Sequence, residues 1–443
     1  MRRSIGILAG LVLVTWASAA QAHFLFLRLT EPAEGGRFVE VYFSDRAEAG
    51  DPKFVEKIAD TKLWRQTPSG ECQPLRVRTA ADRLRAFLPD SDAACVVGAL
   101  EYGVITRNGV PFLLRYYPKA VSGTSEEIAR FKPCANVPVE ILAQAEKDEI
   151  VLTAIHRGKP VADAVFTTID EDLQNVELKA DEAGQVRWKP PATGRYCAYV
   201  KVAQPKTGEH NGQHYDEIRE FATITWNWPL APSQDDPEAA ALFDRAIAHR
   251  AAWKDFPGFA ADVHGSVDGR IFDGSVQVDA KGNVMLKIDE KLAEGWLEDQ
   301  FRSLVTHRRA APRTSAKFRF GHEDDDRPLG KLVILTGGRF ASSYRIRDDQ
   351  ITVVNRQIGP ENMTITVLDT EENPEHQYLP RTFVVEYWDA VTGDLLRAET
   401  TQNRWTRVGS SDLPTDITVT EAHAAGLTVR SCRLTKHRLL NAE

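Results

Sequence analysis

Apolar and polar positions alternate with a period of two through most of this chain, as they do in strands that bury one face. Residues 37–43, with Phe38, Val39, Val41 and Phe43 among charged neighbours, and residues 75–78 show it early. Short strands of this kind, separated by turn residues, fill positions 23–135, and residues 51–58 read as a short helical insertion. A second all-β stretch occupies residues 136–228. Its clearest strands are 149–155, 165–169 and 194–200, with turns at Arg157-Gly158-Lys159-Pro160 and Asp181-Glu182-Ala183-Gly184. Strands at this spacing predict a β-sandwich.

The period then changes. Residues 229–237, rich in proline and acidic side chains, cannot continue a sheet and read as a linker. Residues 238–253 repeat apolar side chains at helical spacing (Leu242, Phe243, Ile247, Trp253), and residues 290–306 do so again with Leu292, Trp296, Phe301 and Leu304. Strands 259–267 and 275–288 lie between these helices, with turns at Asp268-Gly269 and Lys281-Gly282-Asn283. A long meander follows at 332–335, 343–346, 351–354, 363–368, 382–389, 395–403, 417–423 and 427–437. The expectation is a mainly β chain: two N-terminal β-sandwich (Ig-like) units at 23–135 and 136–228, a linker at 229–237, and an α+β domain at 238–443. That last domain should carry a large antiparallel sheet and two helices.

Residues 1–22 fit none of this. Arg2 and Arg3 precede an apolar run from Ile5 to Trp16, and Ala20-Gln21-Ala22 has the small-residue form of a cleavage site. They read as a signal peptide, cleaved at Ala22-His23, which places the protein in the periplasm or outside the cell. The surroundings of the paired arginines do not match a twin-arginine signal. The formal charge of −8 becomes −10 without Arg2 and Arg3, and no sustained basic run exists, so nucleic acid is not an expected partner. After residue 22 no apolar stretch approaches the roughly 20 residues that span a bilayer, so no transmembrane segment is expected. Five cysteines suit an oxidising compartment. Grouping by predicted unit suggests Cys72–Cys95 and Cys134–Cys197, with Cys432 free; spacing alone does not establish connectivity.

Cleavage after Ala22 would make His23 the amino terminus, where the α-amine and the imidazole offer a metal two nitrogens from one residue. Alternatively His23 simply leads into an apolar first strand. A second polar cluster, residues 207–217, holds His210 and His214 between Gly208 and Gly212. Their spacing of four suits metal ligation on a helix and requires a folded-back loop otherwise; a solvated hairpin is the plain alternative. Together His23, His210 and His214 could supply four nitrogens to Cu(II) or Ni(II), with Glu209, Asp216 or Glu217 orienting an imidazole. His156, at a strand end, is a further candidate. The acidic run 322–326 could attract Ca²⁺ but lacks the spacing of a calcium loop and equally fits a solvated turn. His307-Arg308-Arg309 could bind an anion or form a charged helix end. No C-x-x-C, phosphate-cradling glycine loop or nucleophile elbow occurs.

Residues 23–228 resemble an exported family associated with nickel uptake, periplasmic components that accompany nickel and cobalt transporters. The resemblance rests on Ala22-His23, Gly158-Lys159-Pro160, Gly208-Glu209-His210 and the following Tyr215-Asp216-Glu217-Ile218-Arg219; position 26 is Phe where the family has Trp. It implies two sandwich units and metal handling through His23 and His210. Residues 238–440 resemble a second family of unknown function from cyanobacteria and planctomycetes. Phe259-Ala260-Ala261-Asp262-Val263, Val267-Asp268-Gly269 and Ser303-Leu304-Val305-Thr306-His307-Arg308 carry that resemblance. Its strand order is similar to the half-barrel of periplasmic lipoprotein carriers, a fold analogy whose concave apolar face could hold a hydrophobic ligand. Helix 290–306 could instead plug that concavity as ordinary core.

Three readings follow. One is a non-catalytic exported metal-binding accessory protein for nickel or copper, with a metal-transport system or other envelope proteins as partners and a ligand-binding or interaction domain at its C-terminus. Another is a periplasmic scaffold or hydrophobic-ligand carrier without a metal. An oxidative copper enzyme ranks third, because nothing marks a flat substrate-binding face with exposed aromatics, and Trp226 and Trp228 fit a strand end equally well.

Overall fold

Strand Phe24–Leu29 carries Leu25, Phe26 and Leu27 in succession, apolar to both faces, and all three are fully buried. Complete burial of such side chains is worth about 1.5–3 kcal/mol each, which explains why the strand lies inside the molecule. It pairs antiparallel with Arg37–Ser44, and Thr223 donates a hydrogen bond to the Leu25 carbonyl at 2.7 Å. The computed structural model describes residues 23–32, 36–67, 69–88, 94–230, 235–309, 316–321, 328–336 and 342–440. The expected signal at 1–22 and the acidic run at 322–326 lie outside the described residues.

The two N-terminal stretches are built around one sheet. It runs Asn175–Lys179, Val165–Ile169, Gly194–Gln204, Glu217–Trp228, Val110–Ser122, Ala94–Arg107, Lys62–Gln66, Cys72–Leu75, and the stretches join where Glu217–Trp228 pairs in parallel with Val110–Ser122. Consecutive residues of its strands enter different cores. Cys95, Val97, Tyr196 and Ala198 face a core closed by Val139–Glu146, Glu149–His156 and Gln185–Trp188. Ala94, Val96 and Cys197 face a second core, closed by the sheet containing Phe24–Leu29 and Arg37–Ser44. Three β-layers result, with the shared sheet in the middle. Lys119 and Glu140 bridge two of these layers through a buried ion pair of 2.6 Å.

The cysteines pair otherwise than expected. Cys72 is bonded to Cys134, with Cα atoms 6.6 Å apart, and Cys95, Cys197 and Cys432 are free and buried. Cys72 and Cys95 flank Gln66 from strands on either side of it, about 9–10 Å apart at one strand spacing each, beyond disulfide reach. Cys197 faces the core on the far side of the shared sheet from Cys134.

The 51–58 insertion is two 3-10 turns, Pro52–Phe54 and Glu56–Ile58. A short helix not foreseen from periodicity, α1 (Ser125–Ile128), has a capping box between Thr124 and Glu127. Helix α2 (Pro237–Ala248) starts from an Asp236 N-cap with proline in the first turn, one residue before its expected start, and ends before residue 253. The reason is tertiary: Ala251 N–H and the His249 carbonyl hydrogen-bond to the backbone of Tyr378. Helix α3 (Lys291–Arg308) matches its expected position.

Beyond α2 lies the predicted large sheet, antiparallel throughout and not closed into a barrel. From one edge its order is Val284–Ile288, Arg270–Asp279, Gly258–Val267, Gly426–Leu439, Ser411–His423 and Leu395–Val408. It continues with Tyr378–Asp389, Glu361–Glu372, Gln350–Ile358, Ser342–Arg347, Lys331–Thr336 and Lys317–Phe320. Arg319 pairs with Glu31 at 3.1 Å and Arg78 with Asp394 at 2.6 Å, tying the sheet to the N-terminal half.

Candidate functional site

Two amphipathic helices cover only the ends of the large sheet. Ala239, Ala240 and Ala246 of α2 pack on Phe318, Val333, Leu335 and Ile346. Ala293, Leu297, Phe301 and Val305 of α3 pack on Phe259, Val263, Val276 and Leu434. The middle strands keep an apolar face that neither helix fills. Met363, Ile365 and Val367, two residues apart, share that face, together with Phe383 and Val385 of the next strand. Register shifts leave Arg381 and Thr415 without cross-strand partners. Such bulges change which residues face inward, so that Pro380 joins Phe383 and Pro414 joins Ile417 on the wall.

The result is a cavity of about 310 Å³ between the sheet and the C-terminal half of α3, at the lower end of the range for small-molecule sites. Gln300, Ser303, Tyr387 and Glu399 also border a second, more polar cavity of about 610 Å³, whose walls include Asp268, Asp299 and Arg430. The open sheet thus carries a concavity lined mostly by apolar side chains. Helix α3 roofs part of it without filling it.

Both helices end at the cavity, and an arginine stands at each end. Arg308 is the last residue of α3, and Arg250 follows the His249 C-cap of α2. Arg308 is only 6 % exposed. Its Nη1 donates to the Ala251 carbonyl at 3.2 Å and its guanidinium lies over the Trp405 ring, 4.6 Å from the centroid. Its Nε, like those of Arg250 and Arg356, is buried without a hydrogen-bond partner. Burial, and then the neighbouring Arg250 charge, push the Arg308 guanidinium down to about 10, still cationic at neutral pH. Asp412, whose charge opposes that lowering, accepts from Arg407 at 2.9 Å and from Asn373 at 3.0 Å. His307 donates Nδ1–H to the Ser303 carbonyl at 2.8 Å. At the other end of the cavity, burial first and then the Glu421 charge raise the Glu399 carboxyl, with Arg397 opposing.

The sequence-predicted histidines are placed apart. His23 is half-buried, its Nδ1 3.0 Å from Asp45, between the rings of Phe43 and Phe54. Nδ1 is the nitrogen that would close a chelate with a terminal amine, and here it serves the carboxylate. Residues 208–215 form a two-stranded hairpin turned by Asn211 and Gly212, both at positive φ. Glu209 faces His214 across it, and His210 faces Gln213. Cross-strand partners share a face and neighbours alternate, so His210 and His214 project to opposite sides. His210 contacts Glu101 at 3.2 Å and His214 contacts Asp216 at 3.0 Å; His156 lies 3.7 Å from Glu220. Among the described residues no group of three or more His, Cys, Asp or Glu is assembled as a metal site.

Comparison with known proteins bears on the cavity-bearing half. A family model described as "Protein of unknown function (DUF3386)" matches residues 234–440, the segment whose motifs resemble a family of unknown function. No curated protein matches the chain. Among solved structures, a DUF1329 family protein from Desulfovibrio piger is similar at 7 % identity, covering 47 % of this chain and 94 % of that one, with a TM-score of 0.16. A likeness that distant carries no argument about this fold. Of the cavity residues, sequence reasoning singled out His307, Arg308 and the α3 face, but not Arg250, Glu399 or Trp405. The signal that could have found Arg250 is its place just past a helix end, matching that of Arg308.

Proposed function

We propose that the protein is an exported carrier that holds a hydrophobic ligand in the cavity of its C-terminal half and presents its β-rich N-terminal half to other envelope proteins. The observation that carries this reading is the unfilled apolar face between α2 and α3. A sheet that needed only a core would be covered there, because apolar wall left in contact with water costs about 25 cal/mol per Å². The signal-like residues 1–22 support export, and the described residues contain no helix long and apolar enough to cross a membrane. The nickel or copper reading through His23, His210 and His214 draws less support, since His210 and His214 face apart on their hairpin.

The test is titration with N-phenyl-1-naphthylamine, an uncharged dye that fluoresces in apolar surroundings. Saturable binding is expected, and Ile365→Trp, which puts an indole into the cavity, should abolish it while leaving the circular dichroism spectrum unchanged. Absence of saturable binding, or binding indifferent to Ile365→Trp, would overturn the carrier reading.

A further inference from the structure

The carrier reading leaves the ligand's chemistry open, and the charge arrangement around the cavity narrows it. Inside a protein an unpaired cation is expensive, because burial removes its hydration. Buried guanidiniums are therefore ordinarily met by carboxylates. Here they are not. Among the described residues neither Arg250 nor Arg308 has an ion pair, and each keeps a buried Nε without a partner. Arg356 adds a third guanidinium nearby, spending one nitrogen on the Tyr344 hydroxyl at 2.9 Å. The carboxylate that acts on Arg308, Asp412, accepts from Arg407 and Asn373 and forms no ion pair with Arg308 among the described residues.

Two structural features ease the burial of Arg308 without neutralising it. The C-terminal end of α3 carries partial negative charge, and the Trp405 face lies against the guanidinium. Both would also serve a simple helix end, the plain reading of His307-Arg308-Arg309. They do not explain why a second arginine, from the end of a different helix, lines the same cavity. Nor do they explain why the wall of the cavity that both arginines line is mostly apolar.

The cavity is also polarised along its length. Arg250 and Arg308 line the apolar cavity alone, whereas Glu399 borders both that cavity and the polar one beside it. A ligand spanning the cavity meets positive charge at one end, then Ile365, Phe383 and Val385, and an acidic group at the other.

We propose that the ligand is an anionic amphiphile, an alkyl chain with a carboxylate or phosphate head, whose head is bound by Arg250 and Arg308 while its chain lies on the apolar strands. This rests on the carrier reading and adds the head-group chemistry. Guanidinium is the side chain best matched to both oxyanions, offering paired N–H donors in a planar fork.

The experiment is displacement of bound N-phenyl-1-naphthylamine by dodecanoate, dodecyl phosphate and dodecanol, which share one chain length and differ in head. At least one acid should compete about ten-fold or more strongly than the alcohol, since charge-assisted hydrogen bonds in a dry site are worth that much or more. The stronger of the two acids separates a fatty-acid ligand from a phosphate-headed lipid. Arg250→Gln, a half-buried position outside the helices, should erase most of the preference for the acids over dodecanol. Dodecanol matching both acids would overturn the head-group assignment and leave the carrier standing. Failure of the dye itself to bind would overturn the carrier reading first. Because the three-ligand comparison uses the unaltered protein, it decides the matter even if Arg250→Gln does not fold.

Discussion

Arg308 and Trp405 meet across the cavity, one from the end of α3 and the other from strand Leu395–Val408, with the guanidinium 4.6 Å from the ring centroid. Trp405 is itself anchored by its Nε1–H to the Pro380 carbonyl at 3.1 Å, which holds the ring where the charge needs it.

This contact separates a binding role from a structural one. Arg308→Met keeps the chain length and removes the charge, sacrificing one carbonyl hydrogen bond and the ring contact while lifting the desolvation penalty. These effects offset, so the free energy of urea unfolding should change by no more than about 1 kcal/mol. Dodecanoate or dodecyl phosphate affinity should fall together with that of Arg250→Gln. A loss of about 3 kcal/mol or more in urea denaturation would show that Arg308 serves the fold.

The cysteine pairing predicts a map and a pH dependence. Peptide mapping without reductant should recover Cys72 joined to Cys134 and three free thiols. Reducing that bond should cost about 2–4 kcal/mol in urea denaturation, the usual range for a bond closing a long loop. Burial pushes the Cys95 thiol up to about 11 and the Cys432 thiol up to about 12. Both should therefore resist iodoacetamide at pH 8 until the protein unfolds. The sign follows directly: a raised thiol value keeps the proton in the folded state. Stability from these groups is full below the ordinary value near 9 and declines as pH rises toward 11 and 12.

The hairpin geometry predicts a negative result. With His210 and His214 on opposite faces, replacing both by alanine should leave copper and nickel affinity, measured by isothermal titration calorimetry on protein beginning at His23, within two-fold of the unaltered protein. A ten-fold loss would mean that the hairpin rearranges around a metal.

Local chemistry was legible where neighbouring residues alone decide it. The helical period of α2 and α3 and the period-two alternation of the strands appear in the chain and correspond to elements of the structure. The end of α2 was not legible, because the backbone of Tyr378, far along the chain, competes for the residues after His249. The disulfide was not either, because it depends on which strands of the shared sheet carry the cysteines and on where the segment around Cys134 packs against that sheet.

By itself, then, the sequence determined the β-rich class, the two helices of the C-terminal half and the large antiparallel sheet beneath them. Those outcomes rest on periodicity, which acts over a few residues. Tertiary structure alone decided that two sandwiches would share a middle sheet, that His210 and His214 would face apart, and that Arg250 and Arg308 would meet at one cavity. Each depends on strand register or on the convergence of elements distant along the chain, and only long-range packing of the folded chain sets these.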